Sequence, residues 1–215
     1  MRHFAADTHY IKNVFAPEDA LLEEINQHLQ LRNAAINIGA DEGRLLQFLI
    51  KICNVKNIVE IGTLAGYSAI WMARALPEDG HLYTLEQDQK NIEAAREFIA
   101  KSDVAHKITL VEGDALTTLP TLEDKAPFDM VFMDADKFEY LKYLRWAEAN
   151  TKSGSLIIGD NSFLFGAVYM DELPKGVRAG TKDVMCEFNK RLGDQSKYNS
   201  ILIPTKEGIT IGQRL

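Results

Sequence analysis

Cysteine is scarce in this chain. Cys53 and Cys186 are the only two in 215 residues. They lie far apart and show no metal-ligand spacing, which excludes a multi-bridge disulfide framework and a cysteine-based zinc site. Two reduced core thiols remain, as expected of a cytoplasmic protein. The five histidines are scattered and set no ligand spacing either. No apolar run approaches the ~20 residues of a membrane span. The opening MRHFAADTHYIKNVF has no apolar run long enough for a signal peptide. Positive charge is in deficit: 24 Lys and Arg stand against 31 Asp and Glu, a formal net charge of −7. A broad nucleic-acid-binding face is therefore disfavoured, although a local basic patch stays open. Internal repeats, low-complexity tracts and Pro/Gly-rich linkers are all missing. The expectation is a soluble, cytoplasmic protein.

What is present is a core and an alternation. Hydrophobic residues make up 46% of the chain, and its length fits one large domain. Residues 17–31 and 41–54 have helical spacing, with Pro17 suited to a first turn. Short apolar segments at 57–62, 81–87, 107–113, 128–135 and 154–161 read as strands. Helical patterns at 66–77, 89–102 and 137–151, and a short one at 114–122, separate them. Strands alternating with helices predict a parallel sheet covered on both faces. Segments 199–204 and 208–213 lie too close together for a crossover helix, so one of them runs antiparallel to the rest. The predicted fold is α/β: one Rossmann-like domain over residues 1–215. Its sheet is mostly parallel with an antiparallel C-terminal strand, and helices of about 17–54 pack on its core. In such sheets ligands bind beyond the carboxyl ends of the strands.

The strand ends carry the polar residues. The first runs into Glu60-Ile-Gly62-Thr-Leu-Ala-Gly66-Tyr-Ser68. Glycines allow sharp turns and close backbone approach, and a following helix N-terminus offers free N–H groups. Tight strand–helix packing is the alternative reason for this Gly-x-x-x-Gly. Glu60 beside the loop would repel a pyrophosphate and suits an ammonium group, or it bonds local loop amides. The third glycine of a dinucleotide fingerprint is missing, which disfavours an NAD-dependent oxidoreductase. Glu86 ends the second strand, where an acid roughly 20 residues beyond a glycine loop commonly takes both hydroxyls of a ribose. Satisfying the next helix dipole is its other reading. After the third strand, Asp114-Ala115 can face an adenine, or Asp114 is a helix cap. A ligand with a ribose, an adenine, a zwitterion and no phosphate fits these sites, and S-adenosylmethionine has those parts. The fourth strand runs up to Asp134-Ala-Asp136-Lys137, and the fifth to Asp160-Asn161.

EIGTLAGYSAIWMARALPEDGHLYTLE, FDMVFMDADK and GDN together resemble the cation-dependent O-methyltransferases, the family of caffeoyl-CoA and catechol O-methyltransferases. The resemblance runs from GADEG at 39–43 to EGITIGQR at 207–214. It implies an S-adenosylmethionine-dependent O-methyltransferase. Glu60, Gly62 and Ser68 would hold the methionine end of the cofactor, Glu86 the ribose hydroxyls, and Ala115 would lie by the adenine. Asp134 is assigned to the cofactor site and, with Asp160 and Asn161, to a divalent metal: Mg²⁺ first, Mn²⁺ or Ca²⁺ as alternatives. Lys137 would be the general base. Ile38 departs from the family, which often has a hydroxyl residue there. The acceptor implied is a small vicinal aromatic diol, free or as an acyl-CoA ester, with a hydroxylated uridine in tRNA as the alternative. Leu164 stands where relatives acting on phenylpropanoid-CoA esters often have tryptophan. The family often forms homodimers, with the 17–31 helix a candidate interface.

The chemistry suits these residues. Two carboxylates and an amide oxygen make a hard oxygen site suited to Mg²⁺. Three protein ligands leave three octahedral positions, enough for two adjacent hydroxyls and a water. If Asp136 caps the helix, Lys137 falls in the first turn, where a cation opposes the dipole by roughly 0.3–1 kcal/mol. That bias against the ammonium form is the direction a general base needs. Asp136 is a cap, or it also faces the acceptor. In loop 162–183, Phe163 and Phe165 stack on an aromatic acceptor or anchor the loop. Lys175, Arg178 and Lys182 meet phosphates or are solvated.

Overall fold

The central strands are nearly uniform in apolar character because both their faces are covered. Strand β4 (Phe128–Met133) buries Phe128, Met130, Val131, Phe132 and Met133 completely. The structure is a computed structural model that describes residues 4–171 and 173–215. Its other strands are β1 (Asn57–Ile61), β2 (His81–Glu86), β3 (Ile108–Glu112), β5 (Thr151–Gly159), β6 (Tyr198–Ile203) and β7 (Ile209–Arg214). They form one seven-stranded sheet in the order β3-β2-β1-β4-β5-β7-β6. The β1–β4, β2–β3 and β4–β5 pairs are parallel, whereas β7 is antiparallel to both β5 and β6. The strand order reverses between β1 and β4, the topological switch point where α/β sheets bind ligands. The expected α/β architecture with one antiparallel C-terminal strand is the one observed.

The helices are α1 (Phe4–Val14), α2 (Ala20–Leu31), α3 (Ala40–Ile52), α4 (Tyr67–Ala75), α5 (Gln89–Lys101), α6 (Ala115–Thr118), α7 (Tyr140–Asn150) and α8 (Thr181–Leu192). Two of them, α1 and α8, fall outside the helices predicted above. The chain forms two compact units. One holds the described residues through Lys56 with Thr63–Gly113; the other holds Asn57–Gly62 with Asp114–Leu215. Among the described residues no helix is long and apolar enough to cross a membrane.

In the first unit, α3 seats Gly43 against the Trp71 ring of α4, where a Cβ would come within 2.8 Å. Asp19 caps α2 by accepting from Leu22 N at 3.0 Å, a contact worth about 1 kcal/mol, and also pairs with Arg74 of α4. Beside it, the buried Glu18 carboxylate pairs with Lys12 of α1 and accepts from Tyr67 Oη and from Asn26 Nδ2. Burial pushes the Glu18 carboxyl up; the hydrogen bonds from Lys12, Tyr67 and Asn26 together outweigh it and hold the group below its ordinary value. Burial, and then Glu18, push the Tyr67 hydroxyl up. In the second unit, α8 buries Met185, Phe188 and Leu192. Phe188 meets Tyr140 of α7 edge-on, with ring centroids 5.1 Å apart.

Candidate active site

The end of β1 meets the end of β4 at a glycine. Gly62 has φ +102, and a Cβ there would lie 2.1 Å from the Asp134 carbonyl oxygen. Asp134 N in turn donates to Ile61 O at 2.8 Å. Gly62 is therefore demanded by the backbone that carries Asp134. Two residues before it, Glu60 is fully buried in register with Phe132.

Asp134 follows β4 directly. Its Oδ1 accepts from Lys137 Nζ at 2.7 Å, and the side chains are 22% and 15% exposed respectively. Asp136 accepts from Phe138 N at 3.0 Å and so caps the single 3₁₀ turn Lys137–Glu139 that leads into α7. Lys137 is thus the first residue of a helical turn, as expected from Asp136 as its cap. The Lys137 ammonium also lies 5.0 Å from the centroid of the Tyr140 ring.

Asp160 follows β5 and is buried. Met133 pairs with Gly159, so Asp134 and Asp160 leave adjacent parallel strands at the same level. Asp160 N donates to Met133 O at 3.0 Å. Burial first, and then the charges of Asp134 and Asp160, push the Tyr140 hydroxyl well above its ordinary value. Asn161 turns the chain with φ +51, a left-handed conformation that asparagine tolerates. Among the described residues its side chain has no hydrogen-bond partner. The next residue is tied down: Asn189 of α8 donates to Ser162 O at 2.8 Å, and Thr210 N of β7 donates to Ser162 Oγ at 3.1 Å. Among the described residues no group of three or more His, Cys, Asp or Glu is placed to hold a metal. The set indicated by the sequence has two carboxylates and one amide. All three donors are hard oxygens, and Lys137 uses only one of the roughly four lone-pair sites of Asp134.

The other unit holds the glycine loop. Leu64 and Gly66 have φ +54 and +85, and Gly66 starts α4. Ser68, half-buried, is the second residue of that helix. Glu86 braces the loop. Its Oε2 accepts from Leu64 N at 2.8 Å, and its Oε1 accepts from Gln87 N and Asp88 N, both at 2.9 Å. The carboxylate organises backbone whether or not it also meets a ribose. Asp114 caps α6 through Leu116 N at 2.9 Å, and Ala115 behind it is half-buried.

Loop 162–183 resolves several alternatives. Phe163 packs over Gly208, whose missing Cβ would lie 2.8 Å from the ring, and meets Tyr169 edge-on at 5.7 Å. It anchors the loop. Phe165 is 61% exposed. Arg178 stacks over the Phe138 ring at 3.8 Å, and Lys182 Nζ donates to Met170 O at 2.5 Å. Arg178 thus ties the loop to the Lys137–Glu139 turn, and Lys182 ties it to the start of α8. Three residues that matter here escaped the sequence reading: Tyr140, Phe188 and Asn189. The spacing of Met185, Phe188 and Leu192 was the available signal for α8.

Residues 12–215 match the O-methyltransferase family. The chain is 37% identical over 203 residues to a catechol O-methyltransferase of Niastella koreensis, covering 93% of this chain and 90% of that one. It is 37% identical over 184 residues to caffeoyl-CoA O-methyltransferase 1 of Arabidopsis thaliana, covering 82% and 71%. Among solved structures it is similar to the O-methyltransferase TomG of Streptomyces achromogenes, involved in tomaymycin synthesis and solved in complex with S-adenosylmethionine. The TM-score is 0.87 at 34% identity, over 100% of this chain and 99% of that one. This chain belongs to the O-methyltransferase family and is an S-adenosylmethionine-dependent enzyme of that class.

Proposed function

We propose that the chain moves the methyl group of S-adenosylmethionine to one hydroxyl of a small vicinal aromatic diol, with a divalent metal, most simply Mg²⁺, held by Asp134, Asp160 and Asn161. The observation that carries this reading is the Lys137–Asp134 contact beside Asp160 at the ends of two adjacent strands. Asp134 and Asp160 supply negative charge and hard oxygen, and Asn161 supplies a neutral amide oxygen. Bound there, Mg²⁺ would orient two adjacent hydroxyls and lower the pKa of the one that reacts. Freed from its pair with Asp134 and neutral, Lys137 Nζ would take the hydroxyl proton as the acceptor oxygen bonds to the methyl carbon and the carbon–sulfur bond breaks. Glu60, Gly62, Ser68, Glu86, Ala115 and Asp134 serve the cofactor. Correct alignment of oxygen, methyl carbon and sulfur is worth several kcal/mol of barrier, of order 7–11 at best. Holding that alignment is what the cofactor residues do.

The acceptor is read as a free diol because Arg178 is stacked on Phe138 of the Lys137–Glu139 turn and Lys182 is bonded to Met170 O. That engagement, with the net charge of −7, speaks against a CoA or tRNA substrate. The reading also takes the chain as one catalytic domain, cytoplasmic and dimeric. For the dimer, the apolar residues α2 turns outward are few, whereas Tyr10, Val14, Phe15, Phe48 and Ile52 on and beside α1 and α3 are all exposed. Light scattering tests it.

The function is tested by transfer of labelled methyl to simple catechols, acyl-CoA catechols and hydroxylated tRNA, with Mg²⁺ and with excess chelator. Turnover of the simple catechols that stops in chelator and returns with Mg²⁺ is expected. Full turnover by metal-free protein would sink the mechanism. Asp160→Ala should lose transfer while still binding cofactor.

A further inference from the structure

Tyr140 occupies a place where phenylalanine would fill the same core. It is fully buried, edge-on to Phe188 and 6.2 Å from the Tyr143 ring. A buried hydroxyl is unfavourable unless it is hydrogen-bonded. This one lies 2.7 Å from Met133 O and 3.1 Å from Asp160 O, with one proton shared between two carbonyls. Met133 O also accepts the Asp160 N–H at 3.0 Å. Met133 precedes Asp134, so the hydroxyl ties together the backbone segments that carry Asp134 and Asp160. The ring below it faces Lys137 Nζ at 5.0 Å. The fit is close: a Cβ on Gly159 would lie 2.5 Å from Phe188 Cζ and 3.3 Å from Tyr140 Cε1.

We infer that Tyr140 is a positioning residue for the divalent-cation site, its hydroxyl setting the relative placement of Asp134 and Asp160 while its ring carries Lys137. The inference rests on the proposed role of those two carboxylates as metal ligands. It separates two functions within one side chain. Tyr140→Phe removes the tie between the carbonyls and leaves the ring under the lysine.

The experiment titrates Mn²⁺ alone, followed by the spin-resonance signal of the free ion, into wild type, Tyr140→Phe and Phe188→Leu. Phe188→Leu loosens the same packing and keeps the hydroxyl. Tyr140→Phe should hold Mn²⁺ roughly 10- to 100-fold more weakly, the range seen when groups behind metal ligands are removed. Its cofactor affinity, measured without metal by calorimetry, should match wild type. At saturating Mn²⁺ its pH–rate profile should keep the wild-type shape, because Lys137 still rests on a ring. Phe188→Leu should bind Mn²⁺ nearly as wild type does. Equal Mn²⁺ affinity in wild type and Tyr140→Phe overturns the positioning role and leaves the proposed metal site standing. An equal loss in Phe188→Leu also overturns it, since packing alone would then explain the effect. Failure of wild type to bind Mn²⁺ removes the metal site and the inference with it. If Tyr140→Phe does not fold, 3-fluorotyrosine placed at position 140 alone, which keeps the ring and alters the hydroxyl's hydrogen bonding, takes its place: a changed Mn²⁺ affinity supports the tie, and an unchanged one refutes it.

Discussion

Glu86 and Asp134 are both carboxylates at the end of a parallel strand, yet they are held in opposite ways. Glu86 is gripped by backbone: Leu64, Gln87 and Asp88 each give it an N–H. Asp134 is gripped by a side chain, the Lys137 ammonium. Backbone donors arrive with the fold and cannot be removed one at a time. A side-chain donor can be deleted without disturbing its neighbours. If the proposed roles hold, the cofactor end is built into the loop, whereas the reacting end is assembled from replaceable parts. Substitutions at Glu86 should damage structure and binding together. Those at Lys137 should damage chemistry alone.

The largest effect should come from Lys137→Ala. Loss of a general base typically costs about 10²–10⁴-fold in rate. Cofactor affinity should stay at the wild-type level, and the residual rate should climb with pH as hydroxide replaces the lysine. Lys137→Arg should not restore activity, because guanidinium stays protonated. A wild-type rate in Lys137→Ala would reduce the lysine to a partner of Asp134. Glu86→Ala comes next and should blur the separation on its own side. Hydrogen bonds to a charged group are each worth roughly 1.5–3 kcal/mol, so calorimetry should show cofactor binding weaker by tenfold or more, alongside a lower melting temperature. Unchanged affinity would remove Glu86 from the cofactor site and leave it a purely structural brace.

Much of this was legible before the fold was. Period and punctuation were enough for the parallel strands, because buried strands are short apolar runs bounded by turns. The terminal pair was legible because so short a connection admits only a hairpin. Asp134, Asp136 and Lys137 drew notice because two carboxylates and a lysine at one strand end are hard to explain by a turn alone, whereas the roles proposed for Asp134, Lys137, Asp160 and Asn161 came from the family resemblance. The reason for Gly62 was not legible. It is demanded by the Asp134 carbonyl, and the two residues are distant in sequence. Tyr140 was hidden for a similar cause, since its acceptors are backbone oxygens that carry no residue-type signal. Helix α8 was missed because its buried stripe is narrow and follows a long loop. On Glu86 the sequence left two roles open, and the structure adds a third, bracing the glycine loop.

Gly62→Ala should have a smaller effect than either site change on rate, and a plain one on stability. A left-handed alanine costs roughly 1–2 kcal/mol, and the clash with Asp134 O adds overpacking of about 1–3 kcal/mol. Gly154→Ala is the control: its φ is +87 with nothing within 4 Å of a Cβ, so only the first cost applies. Equal melting temperatures for the two variants would mean that Asp134 yields easily. The smallest effect belongs to Glu18. Its carboxyl sits below its ordinary value in the folded chain. Its contribution to stability is therefore complete above the unfolded value of about 4.3 and is lost as pH falls through the folded one. Between about pH 6 and about pH 3, wild type should lose more stability than Glu18→Gln. Parallel melting curves would show that Glu18 does not report acid unfolding.

The most direct test compares initial rates on a catechol and on its mono-hydroxy analogue, for wild type with saturating Mg²⁺ and again in excess chelator. Fast transfer to the catechol, slow transfer to the analogue, and neither reaction in chelator is the predicted pattern. Equal rates on the two acceptors, unmoved by chelator, would contradict a metal-held diol as the reacting group.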